Sequence, residues 1–307
     1  MQLKSLVGVL ELGNPEIVRN LAFIRIFGDT ILPLVPKTLD EALADDRFIV
    51  SERDPVRMNS LYVHNGLAEP VFVAAGMILE GRTQNRAVAY PALIGEQTVV
   101  EDFPVNCSQQ GQPTREGIRF TGSTTIVDAS ARSGAVNQRK TWDTITRTQA
   151  RSPTRSPTKD YVEIARNLPL DEYLIAGLPL PRQLGYVAVV GNNGERSYFM
   201  DMFANHGLFV KLEKRLRQSV ASVAVVNGNH DIKVERFDVT KFMESALSHE
   251  FTEHAHTPGA GRLYLAGEPI HGSALVYNGA PLQVGLRKDT YRDPRTDADI
   301  TVFKRRS

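Results

Sequence analysis

Short runs of β-branched and aromatic residues, separated by turn residues, fill most of the first 125 residues and constrain the fold more than any other feature. Runs of this kind, bounded by Gly, Pro and Asn, are typical of antiparallel strands. The pair Asn65-Gly66 follows Tyr62 and Val63 and predicts a tight hairpin turn. The sequence therefore predicts a β-rich N-terminal half built from hairpins or a meander.

One short helix is expected within this half. Thr38 stands directly before the segment Leu-Asp-Glu-Ala-Leu at 39–43, and Glu41 follows it by three residues. In this spacing each side chain can hydrogen-bond the backbone N–H of the other residue and so cap a helix. We therefore predict a helix that starts after Thr38.

The second half contains two predicted helices. Apolar residues recur at helical spacing from Gly207 to about Ala224, which predicts an amphipathic helix. A further helix is predicted over 239–250, with Asp238 or Thr240 as its N-cap.

The chain continues with three strand-type runs within 261–288, the last two joined at Asn278-Gly279. That dipeptide is typical of a tight hairpin turn, so we predict an antiparallel meander after the mixed region. Because strands and helices do not alternate regularly, the predicted fold class is α+β rather than a doubly wound sheet.

The composition changes over residues 144–159, where Arg-Ser-Pro-Thr occurs twice in succession. Proline removes a backbone donor and disfavours a helix at the preceding residue, so we predict an exposed basic linker or loop. It would either bind anions or carry modifications, or be a solvated connection. It separates a β-rich half at 1–143 from a mixed half at 160–307, unless the two halves form one composite domain.

Charge and cysteine content narrow the class of protein. Lys and Arg total 36 and Asp and Glu total 35, giving a net charge of +1, which does not indicate nucleic acid but leaves room for a local basic patch. One cysteine excludes an intrachain disulfide, and no apolar run approaches the roughly 20 residues of a membrane span. We expect a cytoplasmic protein with no membrane partner and no cofactor, and homo-oligomerisation is compatible with these features.

Two histidine-containing segments resemble metal motifs. Gly-Asn-His-Asp at 228–231 resembles one block of calcineurin-like metallophosphoesterases, where Asn229 and His230 would be ligands, but the other ligand blocks are absent from the sequence. A two-metal site lacking its other ligands cannot hold metal. We therefore predict no metal at His230 and interpret the segment as a polar turn.

The second segment, 249–256, places His249 and His254 five residues apart, whereas a zinc-binding helix needs a spacing of four. We interpret it as a polar helix end that runs into a loop. The alternative is an improvised metal site formed by His249, Glu253, His254 and His256.

The polar segment 80–86 is the strongest candidate for a binding site. A turn between strands ordinarily needs only Gly, Asn or Asp, yet this one continues through Glu80, Gly81, Arg82, Thr83, Gln84, Asn85 and Arg86. Amides offer donors and acceptors together, and Arg offers a planar fork for carboxylate or phosphate. We predict that a small anionic ligand binds to Gly81, Gln84, Asn85 and Arg86. The alternative is a buried polar network that ties two strands together.

Three residues are candidate catalytic groups if the chain is an enzyme. Glu80 would act as a base, Cys107 as a nucleophile, and His271 would complete the site. A lone cysteine more often behaves as a small buried hydrophobe, so that alternative stays open for Cys107.

These segments resemble a known family. Gly-x-x-Gln-Asn-Arg at 81–86, followed by Phe-Pro-Val-x-Cys at 103–107 and Gln110-Gly111, is similar to the ARG- and rhodanese-phosphatase-superfamily-associated domain family. The segment 39–43 and the strand-type run containing His271 are similar as well, so the resemblance covers roughly residues 30–285.

The sequence departs from the family pattern after the cysteine. Gln109 stands where the family has an acidic residue, and Gln112-Pro113 stand in place of Arg-Trp. If the acidic residue performs acid–base chemistry, this chain has lost it. The resemblance implies a genomic association with ADP-ribosylglycohydrolases and phosphatases and a nucleotide or RNA-repair setting, without fixing a reaction.

Three functions are compatible with the sequence. The leading hypothesis is a ligand-binding or accessory protein for a nucleotide-like or ADP-ribose-like anion. The second is an enzyme acting on a phosphoribosyl or ADP-ribosyl group, which needs a cleft where Glu80, Arg86 and His271 converge. The third is a structural or assembly protein, in which the polar residues are mutually satisfied and closed to water.

Overall fold

The structure, a computed structural model, describes residues 1–81, 84–109, 119–132, 138–174, 177–192, 195–228 and 231–289. These residues form an α+β fold of three sheets and several helices, as predicted. The helices are α1 (Leu39–Leu43), α2 (Ala129–Arg132), α3 (Gln138–Arg151), α4 (Tyr161–Ala165), α5 (His206–Asn227) and α6 (Arg236–Ser248), with 3-10 turns at Leu3–Ser5 and Asp171–Tyr173.

The largest sheet has eight antiparallel strands and draws on both ends of the chain. In spatial order they are β1 (Glu11–Val18), β2 (Leu21–Phe27), β12 (Gln183–Asn192), β13 (Glu195–Phe203), β17 (Ala280–Asp289), β16 (His271–Tyr277), β15 (Arg262–Ala266) and β14 (Phe251–Glu253). β2 pairs directly with β12, with Ile24 opposite Val187. The predicted halves 1–143 and 160–307 therefore share one sheet.

Two smaller sheets belong to the N-terminal half. The six-stranded sheet has the order β11 (Thr121–Ile126), β7 (Met77–Glu80), β8 (Arg86–Val88), β10 (Thr98–Cys107), β5 (Ser60–Asn65) and β4 (Phe48–Ser51). The three-stranded sheet has the order β3 (Lys37–Thr38), β6 (Val71–Val73) and β9 (Ala92–Ile94).

Strand β12 lies between two apolar cores. Successive side chains of a strand point to opposite faces of the sheet, and both faces of β12 are buried. Tyr186 and Ala188 pack in the core that contains α5, while Val187 and Val189 pack in the core that contains α6. Helix α5 also contacts β11, so it joins the eight-stranded sheet to the six-stranded one.

The predicted helices are present, and one predicted cap is wrong. Helix α1 begins after Thr38, whose N–H donates to Glu41 Oε2 at 2.7 Å. Helix α6 starts earlier than predicted, with Glu235 at its N-cap. Asp238 lies in the first turn and instead forms an ion pair with Arg196 at 2.8 Å, which is why it does not serve as the cap.

Of the two hairpin turns predicted at Asn-Gly pairs, one is confirmed and the other is wrong. Asn278 and Gly279 both have positive φ, 50° and 76°, as a tight hairpin turn requires, and they join β16 to β17 in the confirmed meander. Asn65-Gly66 closes no hairpin, because β5 and the next strand, β6, belong to different sheets. The side chain of Asn65 is buried and donates to Gly95 O at 2.8 Å, so it stabilises a wider loop.

The predicted linker at 144–159 is only partly irregular. Residues 144–151 form the second half of α3, and residues 152–160 connect α3 to α4. Both prolines of the repeat follow the helix, so they end it without breaking it. The helix lies on the body of the protein through Thr141, Thr144, Ile145 and Thr148, which are buried.

A buried ion pair joins α2 to the eight-stranded sheet. Arg132 donates from its two terminal nitrogens to the two oxygens of Asp201, at 2.7 and 2.6 Å, and both side chains are buried. Its Nε donates to Ser219 Oγ on α5 at 3.1 Å, and the hydroxyl of Tyr186 donates to Asp201 at 3.0 Å. Burial and the adjacent carboxylate raise the pKa of Tyr186 well above its ordinary value, which keeps this donor protonated.

No helix in the described part of the chain is both long enough and apolar enough to cross a bilayer.

Candidate functional site

The segment predicted to bind an anion lies at the junction of β7 and β8. Arg86 begins β8, an interior strand, where it is paired with Leu79 on one side and with Cys107 on the other. Gly81 follows β7, while Arg82 and Thr83 lie outside the described residues. A Cβ at position 81 would lie 2.3 Å from a ring carbon of Phe120, so glycine is required for this close approach.

The guanidinium of Arg86 is enclosed by protein groups. Its side chain is 1% exposed, and it donates to Gln84 Oε1 at 2.8 Å and to Glu52 Oε1 at 3.3 Å. The Glu52 side chain is itself only 7% exposed, and the Gln84 amide donates to Gln109 O at 2.7 Å. Arg86 is therefore already paired with a buried carboxylate and a buried amide.

Asn85 connects the same turn to α4. Its side-chain NH2 donates to both oxygens of Asp160 at 3.1 Å, and its Oδ1 accepts from Gly81 N at 3.1 Å. Asp160 is the N-cap of α4 and accepts from Val162 N at 3.0 Å. Burial raises the pKa of the Asp160 carboxyl, although the bonds from Asn85 and Val162 oppose that rise.

We name Glu52, Gln84, Asn85, Arg86 and Asp160 the Arg86 cluster. Gln84, Asn85 and Arg86 are all buried, and their side-chain bonds lead to β4's end, to β10's end and to α4. This geometry favours the alternative of a polar network that ties the strands together. The prediction that these residues bind an anion stays untested.

The three candidate catalytic residues lie in two different sheets. Glu80 ends β7 and forms an exposed ion pair with Arg166 at 3.0 Å. His271 begins β16 in the eight-stranded sheet, with its Nε2 3.4 Å from Glu268 Oε1. Cys107 ends β10 beside Arg86 in the six-stranded sheet.

Cys107 has the surroundings of a buried structural residue. It is 2% exposed, and its backbone N–H and C=O both bond the side chain of Gln138, at 2.7 and 2.8 Å. Burial raises the pKa of the thiol, which the Arg86 charge opposes and the Glu52 charge reinforces. A thiol with a raised pKa forms little thiolate at neutral pH.

We expect Cys107 of the folded protein to react with a thiol-specific disulfide reagent at least about tenfold more slowly than in the denatured chain, because only an accessible thiolate reacts quickly. Absorbance of the released thiolate, followed with and without guanidinium chloride, measures both rates. Equal rates in the two states would show an accessible thiolate and would favour the nucleophile hypothesis.

The four residues of the alternative metal site have separate contacts. His249 follows the end of α6 with its ring against Phe251, and Glu253 in β14 pairs with Arg262 at 3.8 Å. His254 Nδ1 lies 2.7 Å from the backbone oxygen of His256. Within the described ranges, the side chains of His, Cys, Asp and Glu form no group of three or more that could hold a metal ion. Asn229 and His230 lie outside those ranges.

His254 and His256 instead line an open pocket of about 480 Å³, together with Arg57, Ser60, Tyr90 and Asp102. We name it the Tyr90 pocket. It lies where the loop after β14 meets the start of β5 and the middle of β10, and the rings of Tyr90 and His254 are 5.1 Å apart. Sequence reasoning missed Arg57 and Tyr90, because they share no motif with the histidines.

The lining of the Tyr90 pocket holds one cation, Arg57, and one carboxylate, Asp102. Arg57 lies 3.3 Å from Asp102, and Arg53 pairs with the same carboxylate from outside the lining. His254 Nδ1 lies 2.7 Å from the backbone oxygen of His256 and 3.3 Å from its backbone nitrogen, so contacts within its own loop hold the ring in place. Burial raises the pKa of Tyr90, so its hydroxyl is a neutral donor.

Together these features describe a strand-rich α+β protein with a closed polar cluster and a separate open pocket. Residues 9–286 match the model of the ARG and Rhodanese-Phosphatase-superfamily-associated Protein domain, ARPP-1, and the chain belongs to this family. This match confirms the resemblance carried by the segments around Arg86 and Cys107. No curated protein and no solved structure matches the chain.

Proposed function

We propose that this protein is a ligand-binding accessory protein that takes a small anionic, nucleotide-like molecule in the Tyr90 pocket. The observation that carries the proposal is the convergence of Arg57, Tyr90 and His254 on one open pocket of about 480 Å³. Small-molecule sites have volumes of roughly 300–1,000 Å³ and combine apolar or aromatic walls with a few polar groups. The Arg86 cluster, in which Gln84, Asn85 and Arg86 are buried, would hold the strands of the six-stranded sheet in place.

Each group has a chemical role in this proposal. The side chain of Arg57 is 54% exposed, so its guanidinium could turn from Asp102 to a phosphate without breaking a buried contact, and Arg53 would keep Asp102 paired. The ring of Tyr90 offers an aromatic surface for a base. His254 Nε2 would form a hydrogen bond with a ribose hydroxyl, which can donate or accept.

An enzymatic role has less support. Glu80, Arg86 and His271 occupy two sheets, and Glu80 and Arg86 already form ion pairs with Arg166 and Glu52. The proposal therefore assigns binding, and no reaction, to the Tyr90 pocket.

Thermal-shift measurements with AMP, ADP-ribose and inorganic phosphate test this proposal. A ligand at 100 times its Kd stabilises the folded state by about 2.7 kcal/mol, so a nucleotide should raise the melting temperature more than phosphate does. We expect Arg57→Ala and Tyr90→Ala each to weaken binding about tenfold or more, because each removes one of the three recognition groups. Isothermal titration calorimetry gives the affinities.

Arg166→Ala is the matched control, since it removes an exposed, carboxylate-paired arginine that does not line the pocket. It should leave ligand affinity unchanged. The proposal fails if none of the three compounds raises the melting temperature, or if both pocket variants bind as tightly as the parent protein.

A further inference from the structure

Positive charge is concentrated in one continuous segment of the chain. Residues 138–159 contain six Lys or Arg residues and one acidic residue, Asp143, so their formal charge is +5. The rest of the chain then carries −4. A net charge near zero therefore conceals a strongly basic surface, made of α3 and the residues that follow it.

The cations lie on the solvent side of α3. The helix buries Thr141, Thr144, Ile145 and Thr148, and its basic residues are exposed. Lys140, Arg147 and Arg151 fall within about 40° of one another around an ideal helix and span about 16 Å of its axis. Arg155, also exposed, follows the end of α3 in the chain.

Three of these arginines have no carboxylate partner in the described part of the chain. Arg139, Arg151 and Arg155 form no ion pair with any other residue that the structure describes. Arg147 donates to the hydroxyls of Ser130 and Thr144, which are neutral partners. Asp143 is the only carboxylate in the segment, and the neighbouring carboxylate of Asp160 is already bonded to Asn85.

An aromatic ring lies at the other edge of the exposed side. Trp142, the only tryptophan of the chain, is 38% exposed. It lies about 140–180° around the helix from the row of cations, and Arg139 and Asp143 lie between them. A small anion needs one or two cations, whereas a row of this length suits the repeated phosphates of a nucleic acid, and an exposed indole can stack on an unpaired base.

We propose that the exposed side of α3, with residues 152–159, is a docking surface for single-stranded nucleic acid. The strand would cross this side of the helix, so that its phosphates contact Arg139, Arg151 and Arg155 and a base stacks on Trp142. This inference does not depend on the Tyr90 pocket, since no residue of that pocket belongs to α3 or to 152–159.

Fluorescence anisotropy with a labelled 20-nucleotide oligo(dT) strand tests the inference at several salt concentrations. The variant Arg139→Ala/Arg151→Ala/Arg155→Ala should bind at least about tenfold more weakly. Each lost phosphate contact reduces the slope of log K against log salt by about 0.7, so the slope should fall by about 2 in magnitude. Trp142→Ala should weaken binding about tenfold, because base stacking on an aromatic side chain contributes that much.

The matched control is Lys4→Ala/Lys214→Ala/Lys233→Ala, which removes three exposed positive charges from other elements. It should retain the parent's affinity and salt slope. Circular dichroism confirms that each variant is folded, and the substituted residues are exposed.

Four outcomes would overturn the inference. The first is that the parent protein does not bind the oligonucleotide, and the second is that both triple variants lose the same affinity for it. The third is that the protein binds a duplex more tightly than the single strand and Trp142→Ala has no effect. The fourth is that the protein binds anionic vesicles instead of the single strand. The third would point to duplex recognition, and the fourth to a membrane surface.

Discussion

Replacing Arg132 with alanine is expected to lower the free energy of unfolding by about 3–5 kcal/mol, because it leaves the carboxylate of Asp201 buried without its cation. Asp201 is 1% exposed and accepts two short bonds from Arg132. The bond from Tyr186 remains, but one neutral donor does not replace a bidentate cation. Urea denaturation followed by circular dichroism measures the loss.

A double variant distinguishes the stability lost through an unpaired buried charge from the stability lost through missing side-chain contacts. Arg132→Met/Asp201→Asn removes both charges and keeps an acceptor for Tyr186, so it should lose less stability than the two single variants added together. Arg166→Ala, which breaks the exposed pair with Glu80, should cost about 0–1 kcal/mol. A loss below 1 kcal/mol in Arg132→Ala would contradict the structural role of this pair.

Replacing Arg86 with alanine is the second substitution with a large expected effect. It removes the cation that donates to the buried carboxylate of Glu52 and to the side chain of Gln84. We expect a loss near the lower end of about 3–5 kcal/mol. The pair with Glu52 is longer than the Arg132 pair, at 3.3 Å, and Arg86 Nε has no partner among the described residues.

Arg86→Lys distinguishes a structural role from a binding role. Lysine keeps the charge but loses the planar fork that reaches Gln84 and Glu52 together, so a structural role predicts a stability loss that no ligand restores. Arg57→Ala is the control, because that arginine is more than half exposed. If both Arg86 variants keep the parent's stability and lose affinity for a nucleotide, the original prediction that Arg86 binds an anion is correct.

Local sequence patterns predicted the parts of the fold that depend on neighbouring residues. The helix after Thr38, the long helix α5 and the turn at Asn278-Gly279 each arise from side chains within a few positions of one another. Helix α3 was missed, because the Arg-Ser-Pro-Thr repeat dominates the composition of 144–159 although its prolines lie beyond the helix. Local patterns therefore determined element type better than they determined element boundaries.

The candidate site depended on distant partners, which no local pattern contains. A run of amides and arginines looks the same in sequence whether it faces solvent or protein. Arg86 is buried because Glu52, 34 residues away, and the elements around it close over the guanidinium, and Asn85 is held by Asp160, 75 residues away. The Tyr90 pocket likewise joins residues from four separate stretches of chain.

The pairing of β2 with β12 determines when the eight-stranded sheet can form during synthesis of the chain. Ile24 cannot pair with Val187 until about 160 more residues have been synthesised. At 5–20 residues per second a ribosome needs roughly 10–30 s to make that length. Throughout that interval the apolar faces of β1 and β2 have no sheet to join, and an uncovered strand edge invites pairing with other chains. The first hairpin to emerge is therefore among the last elements to reach its native neighbours.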